Sequence, residues 1–172
     1  MFRGVGSALI LAGCLGLGFL SREKMNGRIR ALQQMMDILE LFESEVRYGK
    51  TVLPECCGRI GNRIRGGFGE ALVRVAEKYR ENAGESFEVI FREEVGRQLE
   101  EMPLKPEDIR LFLQSISSTG FSEGQMQLRT MEQSRERLGK TKEKLERENS
   151  EKGRIVVGLG AMSGLLLILI LW

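Results

Sequence analysis

The chain has 172 residues, with 26 basic and 24 acidic side chains and a formal net charge of +2. This balanced charge gives no electrostatic case for nucleic-acid binding. The sequence has no histidine, which removes the commonest general base and metal ligand, and its three cysteines fit neither a disulfide framework nor a CxxC metal site. We therefore expect no enzyme activity, cofactor, bound metal or small-molecule substrate.

The first predicted element is an uncharged apolar run over residues 4–20. A helix needs roughly 17–25 apolar residues to cross a bilayer, so we predict an N-terminal transmembrane helix in residues 1–20. Small residues recur at every fourth position of the run and favour close helix packing in lipid, although ordinary membrane-helix composition explains them equally well. These residues are Gly4, Ala8, Ala12 and Gly16.

An alternative interpretation of this end is a lipoprotein signal. Leu11-Ala12-Gly13-Cys14 matches a lipoprotein cleavage box, after which Cys14 would become the lipidated N-terminus. However, the apolar run continues through Leu20, whereas a polar tether usually follows such a cysteine. The transmembrane interpretation is therefore preferred, and lipidation of Cys14 is kept as its alternative.

The middle of the chain, residues 21–154, is predicted to be one helical domain. Its apolar residues recur at helical spacing, and proline and glycine divide it into six segments. Gly49 is predicted to end the first helix, Thr51 to cap the second, and one of Cys56 and Cys57 to face the core. Short connections predict an antiparallel six-helix bundle, so the fold class is all-α. The predicted helices cover residues 21–48, 52–64, 69–82, 85–101, 106 to 119 or 120, and 122 onward, with a glycine-rich loop at 66–69.

The sixth segment continues without proline into a second apolar run, residues 155–172. Four apolar residues of the segment share one face, but Arg135 and Lys142 make that face a poor coiled-coil surface. We therefore predict a solvated helical stalk, supported by ion pairs four residues apart. The second run is predicted to be a C-terminal transmembrane helix, and its Gly160 and Gly164 suit close contact with another helix.

Basic residues next to the two runs predict the orientation. They follow the first run and precede the second, whereas Arg3 is the only basic residue between an apolar run and a chain terminus. The positive-inside rule then places residues 21–154 in the cytoplasm and both termini across the membrane. The flanking basic residues are Arg22, Lys24, Arg28, Arg30, Lys152 and Arg154.

Three stretches of the sequence carry a resemblance to a known family. Residues 45–53 look like its acidic–aliphatic–x–Tyr-Gly-x-Thr-Pro-Leu segment, with the proline displaced to position 54. Residues 120–127 look like a Gly…Asp…Gln segment with glutamate in place of aspartate, and residues 159–165 look like a closing Leu-Gly-x-x-x-Gly-Leu span. In these stretches, and in length and layout, the chain resembles stage III sporulation protein AB of endospore-forming bacteria. The matching soluble positions are Tyr48, Gly49, Thr51, Leu53, Gly120, Glu123 and Gln127.

The resemblance implies a mother-cell membrane complex that helps connect the mother cell with the engulfed forespore. The family's soluble part is similar to the cytoplasmic domain of the type II secretion F protein, a platform that engages a hexameric secretion ATPase. By analogy, the implied partners are an ATPase of the stage III sporulation protein AA type, other membrane subunits of the complex, and membrane lipid. The family has no known catalytic residues. The alternative is a membrane-tethered adaptor or lipoprotein scaffold without an ATPase partner.

The matched positions also have physical interpretations. Tyr48 is expected to bury its ring, Gly49 to permit a left-handed backbone, and Glu123 to lie at the favourable start of the last helix. A pair of well-formed helix junctions explains these residues better than an interaction surface does.

Overall fold

The protein is all-α in the computed structural model. The backbone is described for residues 2–49, 52–81, 84–117 and 124–171, and side chains for residues 23–48, 52–81, 84–117 and 125–151. These residues form six helices and no strand, which confirms the predicted fold class and helix number. The helices are α1 (Phe2–Gly49), α2 (Leu53–Arg63), α3 (Gly67–Glu81), α4 (Phe87–Glu100), α5 (Pro106–Ser117) and α6 (Gly124–Leu171).

The first and last helices extend far beyond the bundle. α1 is continuous from Phe2, so the first predicted domain helix does continue out of the first apolar run. Among the described residues, no helix has both the length and the apolar character that a membrane crossing needs. The two apolar runs lie outside the described side chains, so the two transmembrane helices stay predictions. The same holds for the small residues Gly4, Ala8, Ala12, Gly16, Gly160 and Gly164.

α1 and α6 pack side by side and run antiparallel, and we call their interface the α1–α6 seam (residues 26–47 against 127–149). Cross-helix contacts establish the direction, because α1 numbers rise as α6 numbers fall. The contacts are Asn149 Nδ2 to Asn26 Oδ1 at 2.6 Å, Arg135 Nε to Glu43 Oε1 at 3.1 Å, and Arg47 Nη2 to Glu132 Oε1 at 2.6 Å.

The predicted solvated stalk is wrong for the part of α6 that lies in the seam. Met131 and Leu138 have no exposed surface, and Ser134 between them is buried. A seven-residue spacing places Arg135 as the inward position between Met131 and Leu138. The inward positions instead follow steps of three and four residues, so Ser134 lies inward, while Arg135 and Lys142 are half-buried at the edge of the seam. The opposite face of α6, which carries Glu136, Arg137 and Lys140, is exposed as expected.

The remaining helices form a closed ring with α1 and α6. Each helix packs on its neighbours in sequence, and α6 completes the ring against α1. Phe42 of α1 meets Phe91 of α4 edge-to-face, with ring centroids 6.4 Å apart, so the core is continuous across the ring. Both Cys56 and Cys57 are fully buried in it, rather than only one of them as predicted.

A close crossing of α2 and α3 explains the glycine-rich stretch that follows α2. A Cβ at Gly61 would lie 2.7 Å from the carbonyl oxygen of Gly69 and 2.9 Å from the backbone nitrogen of Val73. Gly66, with a φ of 95°, makes the turn between the helices. The predicted loop at 66–69 is therefore too long, because α3 begins at Gly67 and uses Gly69 for the crossing.

Asp108 joins the start of α5 to α1. Its Oδ2 accepts hydrogen bonds from Arg28 Nη2 at 2.7 Å, Arg28 Nε at 3.0 Å and the backbone N–H of Lys105 at 3.2 Å. The side chains of Arg28 and Asp108 are 13 % and 5 % exposed, so the ion pair is largely shielded from water. Asp108 thus caps α5 and fixes its first turn against α1.

A second buried carboxylate joins α3 to α4. Glu94 lies 2.6 Å from Lys78 Nζ, 2.9 Å from Arg74 Nε and 3.6 Å from Arg97 Nη2. Burial alone raises the pKa of Glu94, but the hydrogen bonds from Lys78 and Arg74 outweigh it, so this pKa lies below its ordinary value. The carboxylate is therefore ionised and neutralised by cations of both helices.

The α2–α3 crossing predicts a large effect of a single methyl group. We expect Gly61→Ala to lower the free energy of unfolding by about 2 kcal/mol, because the methyl group meets backbone atoms that cannot rotate away. Gly84→Ala is the matched control, since a Cβ at Gly84 has no neighbour within 4 Å. Urea unfolding followed by circular dichroism measures both, and equal midpoints for the two variants would contradict the crossing.

Candidate interaction site at the junction of α1, α2 and α6

The helix order brings three helix ends together. α2 begins four residues after α1 ends at Gly49, and the antiparallel seam places the start of α6 beside the end of α1. We call this end of the bundle the junction end, defined by Tyr48, Gly49, Val52, Leu53, Met126 and Gln127. The far ends of α1 and α6, which contain the two apolar runs, point the opposite way.

Exposed apolar side chains gather at the junction end. α3 returns towards this end and α4 leaves it, because consecutive helices alternate in direction across short turns. Every large exposed hydrophobic residue among the described side chains lies near a helix terminus that points this way. They are Tyr48 (80 % exposed), Met126 (64 %), Val52 (62 %), Val89 (50 %) and Tyr79 (40 %). Apolar surface concentrated in one region is typical of a protein-interaction surface.

The prediction that Tyr48 buries its ring is wrong. The inward stripe of α1 passes through Leu39 and Phe42, both fully buried. Tyr48 follows Phe42 by six residues, which at 100° per residue places it about 120° away from that stripe. The ring therefore projects from the last turn of α1 into solvent.

The start of α2 also differs from the sequence prediction. The N-cap is Val52, with no side-chain hydrogen bond to the helix, while Thr51 lies outside the described residues. α1 includes Gly49 rather than ending before it, and Gly66 is the one described glycine with positive φ. Leu53 is 7 % exposed and anchors the first turn of α2 in the core. Among the matched residues of this segment, Leu53 is thus structural and Tyr48 is presented to solvent.

Gln127 has an unusual environment in the first turns of α6. It is only 7 % exposed, and its Nε2 donates to no described residue. A buried donor without an acceptor costs about 1–3 kcal/mol, which makes Gln127 a candidate for a role other than stability. Gly120 and Glu123, the other matched residues of this stretch, lie outside the described residues.

A polar contact holds α1 and α6 together just below the junction end. Glu43 is buried and accepts from Arg135 Nε, one turn from the Arg47–Glu132 pair. Burial is the largest influence on Glu43 and raises its pKa, although the Arg135 guanidinium opposes the shift. These contacts fix the two helix ends that carry Tyr48 and Met126.

Sequence reasoning missed Val52 and Met126 as surface residues. Val52 stands where the resembled segment has proline, so it was treated as a displaced match rather than as exposed surface. Met126 precedes the buried Gln127, and a strict reading of the seven-residue spacing would have placed it outside the seam. The spacing of the buried residues of α6 therefore predicts that Met126 is exposed. The exposure of Val52 depends on the turn between α1 and α2, which the spacing does not predict.

Comparisons with known proteins agree with this architecture. A sequence profile described as "Stage III sporulation protein AB (spore_III_AB)" matches residues 3–172. A solved structure titled "Stage III sporulation protein AB (SpoIIIAB)" superposes with a TM-score of 0.62 at 15 % identity, and the match covers 72 % of this chain and 97 % of that one. A search of curated protein sequences found no significant match.

The profile covers nearly the whole chain, and the structural match shows the same fold. The family is one of sporulation proteins and is not a known enzyme family. The chain belongs to the stage III sporulation protein AB family, and its role is therefore in sporulation.

Proposed function

We propose that this chain is a non-enzymatic membrane platform of a secretion-like sporulation complex and that its junction end docks the sporulation ATPase. The observation that carries the proposal is the separation of two surfaces along α1 and α6. The exposed apolar residues lie at one end of the helix pair, and the predicted membrane spans lie at the other. A cytosolic partner would thus meet the domain on the side that faces away from the lipid.

The membrane placement is part of the proposal. Residues 1–20 and 155–172 would cross the mother-cell membrane that faces the forespore, with residues 21–154 in the cytoplasm and both termini on the opposite side. The continuous α1 and α6 support this arrangement, because the antiparallel seam leads both helices towards the same side of the domain. In the same register, Gly16 is level with Gly160, so small residues of the two spans would face a common depth of the bilayer.

The docking surface combines apolar area with one hydrogen-bond donor. Tyr48, Val52 and Met126 offer side chains that are more than half exposed, and tyrosine is enriched among the residues that dominate binding energy. Gln127 lies buried beneath this surface, and its Nε2, which donates to no described residue, would reach a carbonyl or carboxylate of the partner once the first turn of α6 shifts on docking. Other membrane subunits and lipid would contact the far ends of α1 and α6.

The second candidate function is an adaptor or lipidated scaffold without an ATPase partner. It is favoured by the lipoprotein-like Leu11–Cys14 sequence and would keep the same helical domain. The two functions differ in ATPase binding and in topology, so each difference has its own test.

Truncating the exposed apolar residues should weaken ATPase capture. We expect Tyr48→Ala with Met126→Ala to reduce binding of a purified stage III sporulation protein AA-type ATPase at least about tenfold, because hot-spot truncations cost more than 1 kcal/mol each. Full-length chain in detergent micelles is immobilised, and binding is measured by pull-down and titration. Lys140→Ala with Lys144→Ala, on the solvated face of α6, is the control. Wild-type chain that fails to bind the ATPase would favour the adaptor.

A substitution of Gln127 should change the stability of the domain and its ATPase affinity in opposite directions. We expect Gln127→Leu to raise the free energy of unfolding by about 1 kcal/mol, because it removes a buried donor without a described acceptor. The same variant should bind the ATPase more weakly than wild type. Gln133→Leu, at an exposed position of the same helix, controls for added apolar surface. A stabilised variant with full ATPase affinity would assign Gln127 no part in docking.

Cysteine labelling tests the topology. Burial raises the pKa of the Cys56 thiol to about 11 and also raises that of the buried Cys57, so neither competes for a maleimide. In intact cells, we expect Asn62→Cys to resist a membrane-impermeant maleimide and a cysteine appended after Trp172 to react. Permeabilised cells provide the positive control for Asn62→Cys. Reaction of Asn62→Cys in intact cells would instead support the lipidated scaffold.

A further inference from the structure

The loop between α4 and α5 lies against the part of α1 that follows the first apolar run. A Cβ at Gly27 would lie 3.1 Å from Cγ of Pro103, so the loop contacts α1 at this level. One residue further along α1, Arg28 pairs with Asp108 at 2.7 Å. Asp108 also accepts the backbone N–H of Lys105 at 3.2 Å. Two contacts on consecutive residues of α1 therefore fix the height of the loop along this helix.

Both apolar runs reach the same level beyond the seam. Asn149 Nδ2 donates to Asn26 Oδ1 at 2.6 Å, so these two residues are level with each other. The first run ends at Leu20, six residues before Asn26. The second run begins at Ile155, six residues after Asn149. Both boundaries are thus about 9 Å from the asparagine pair, as a single bilayer surface requires.

These levels bring the loop close to the lipid headgroups when the two runs lie in a bilayer. Gly27 is seven residues beyond Leu20, so its contact with Pro103 is about 10 Å above the hydrocarbon boundary. The polar layer of each leaflet is about 5–8 Å thick. Lys105 lies lower than Asp108, because it precedes α5 and α5 runs away from the boundary. The remaining distance is within reach of the exposed four-carbon stem of Lys105.

The exposed residues of the loop and of the start of α5 suit a contact with headgroups. They are Pro103, Lys105 and Pro106. Lys105 Nζ is 3.6 Å from a carboxylate oxygen of Glu107, and both side chains are more than half exposed, so this ion pair is weak and the amine can meet a phosphate. Glu101 and Glu107 are exposed beside it and would meet ammonium groups. The loop therefore matches zwitterionic headgroups, which carry both charges, better than a purely anionic surface.

The turn between α2 and α3 points the same way but lies too high to meet lipid. It is level with Gln98, because a Cβ at Gly67 would meet the side chain of Gln98. Gln98 is seven residues beyond Phe91, whose ring centroid is 6.4 Å from that of Phe42 in α1. The rise along both helices places this turn about 22 Å above Leu20. Among the described connections, the α4–α5 loop is therefore the one that can reach the headgroups.

We propose that the α4–α5 loop rests on zwitterionic lipid headgroups, as a third contact between the domain and the membrane beside the two predicted spans. This contact depends on the membrane placement proposed above. Because α1 and α6 leave the domain side by side, the spans alone would allow the domain to rock about the line that joins them. The loop belongs to other helices of the ring and lies to one side of that line. Its contact therefore fixes the tilt of the domain and the direction in which the junction end faces.

Spin labelling in vesicles tests this contact. The full chain carries Cys14→Ala, and one cysteine is introduced at an exposed position and labelled with a nitroxide, since the other native cysteines are buried. The protein is reconstituted in phosphatidylcholine vesicles that contain a small fraction of a nickel-chelating lipid. We expect the label at Lys105→Cys to show several-fold higher access to the nickel headgroup than the label at Arg65→Cys. Arg65→Cys is the matched control, because it removes the same charge from the higher α2–α3 turn.

Lys24→Cys is the positive control, because it lies four residues beyond Leu20, about 6 Å above the boundary. Circular dichroism verifies that every variant is folded. Low access at Lys105→Cys beside high access at Lys24→Cys would overturn the loop contact and leave the membrane placement intact. Low access at all three positions would contradict the membrane placement itself, and with it this contact.

Discussion

The packing of α1 against α6 determines where every other part of the molecule lies. These helices are the first and last elements of the chain, and Met131 and Leu138 of α6 are fully buried against the α1 side of the core. Because the seam is antiparallel, the end of α1 and the start of α6 are neighbours, and the four shorter helices complete the ring between them. The junction end exists because of this closure, since its residues come from positions near 50 and near 126 of the sequence.

Buried carboxylates specify how the helices are paired. Glu43 joins α1 to α6, Glu94 joins α3 to α4, and Asp108 joins α5 to α1. Burying an ion pair gains little net stability, but removing one partner leaves an uncompensated charge, so wrong pairings are penalised. The apolar residues supply most of the stabilising energy of the bundle, and we expect these acids to favour one arrangement of helices that share similar apolar stripes.

Sequence reasoning predicted the local structure better than the long-range contacts. Helical spacing, proline and glycine indicated all six helices, and for α2 to α5 the predicted ends differ from the observed ones by about two residues. Tyr48 and the α6 stalk were misjudged because their exposure depends on which face meets another helix. The ion pair of Arg28 with Asp108 joins residues 80 positions apart, which no local pattern indicates. For the candidate site, the matched stretches include Tyr48 and Gln127, whereas the exposure of Tyr48 and the burial of Gln127 could be read only from the fold.

The continuity of α1 and α6 has a mechanical consequence. Each helix has 48 residues, so each extends for about 72 Å without a turn or a break in its described backbone. Within the α1–α6 seam the two helices are joined at both ends, by Asn26 with Asn149 and by Arg47 with Glu132, so there they move as one unit. A tilt imposed at Tyr48 and Met126 would therefore be transmitted along the seam towards the opposite ends of the two helices.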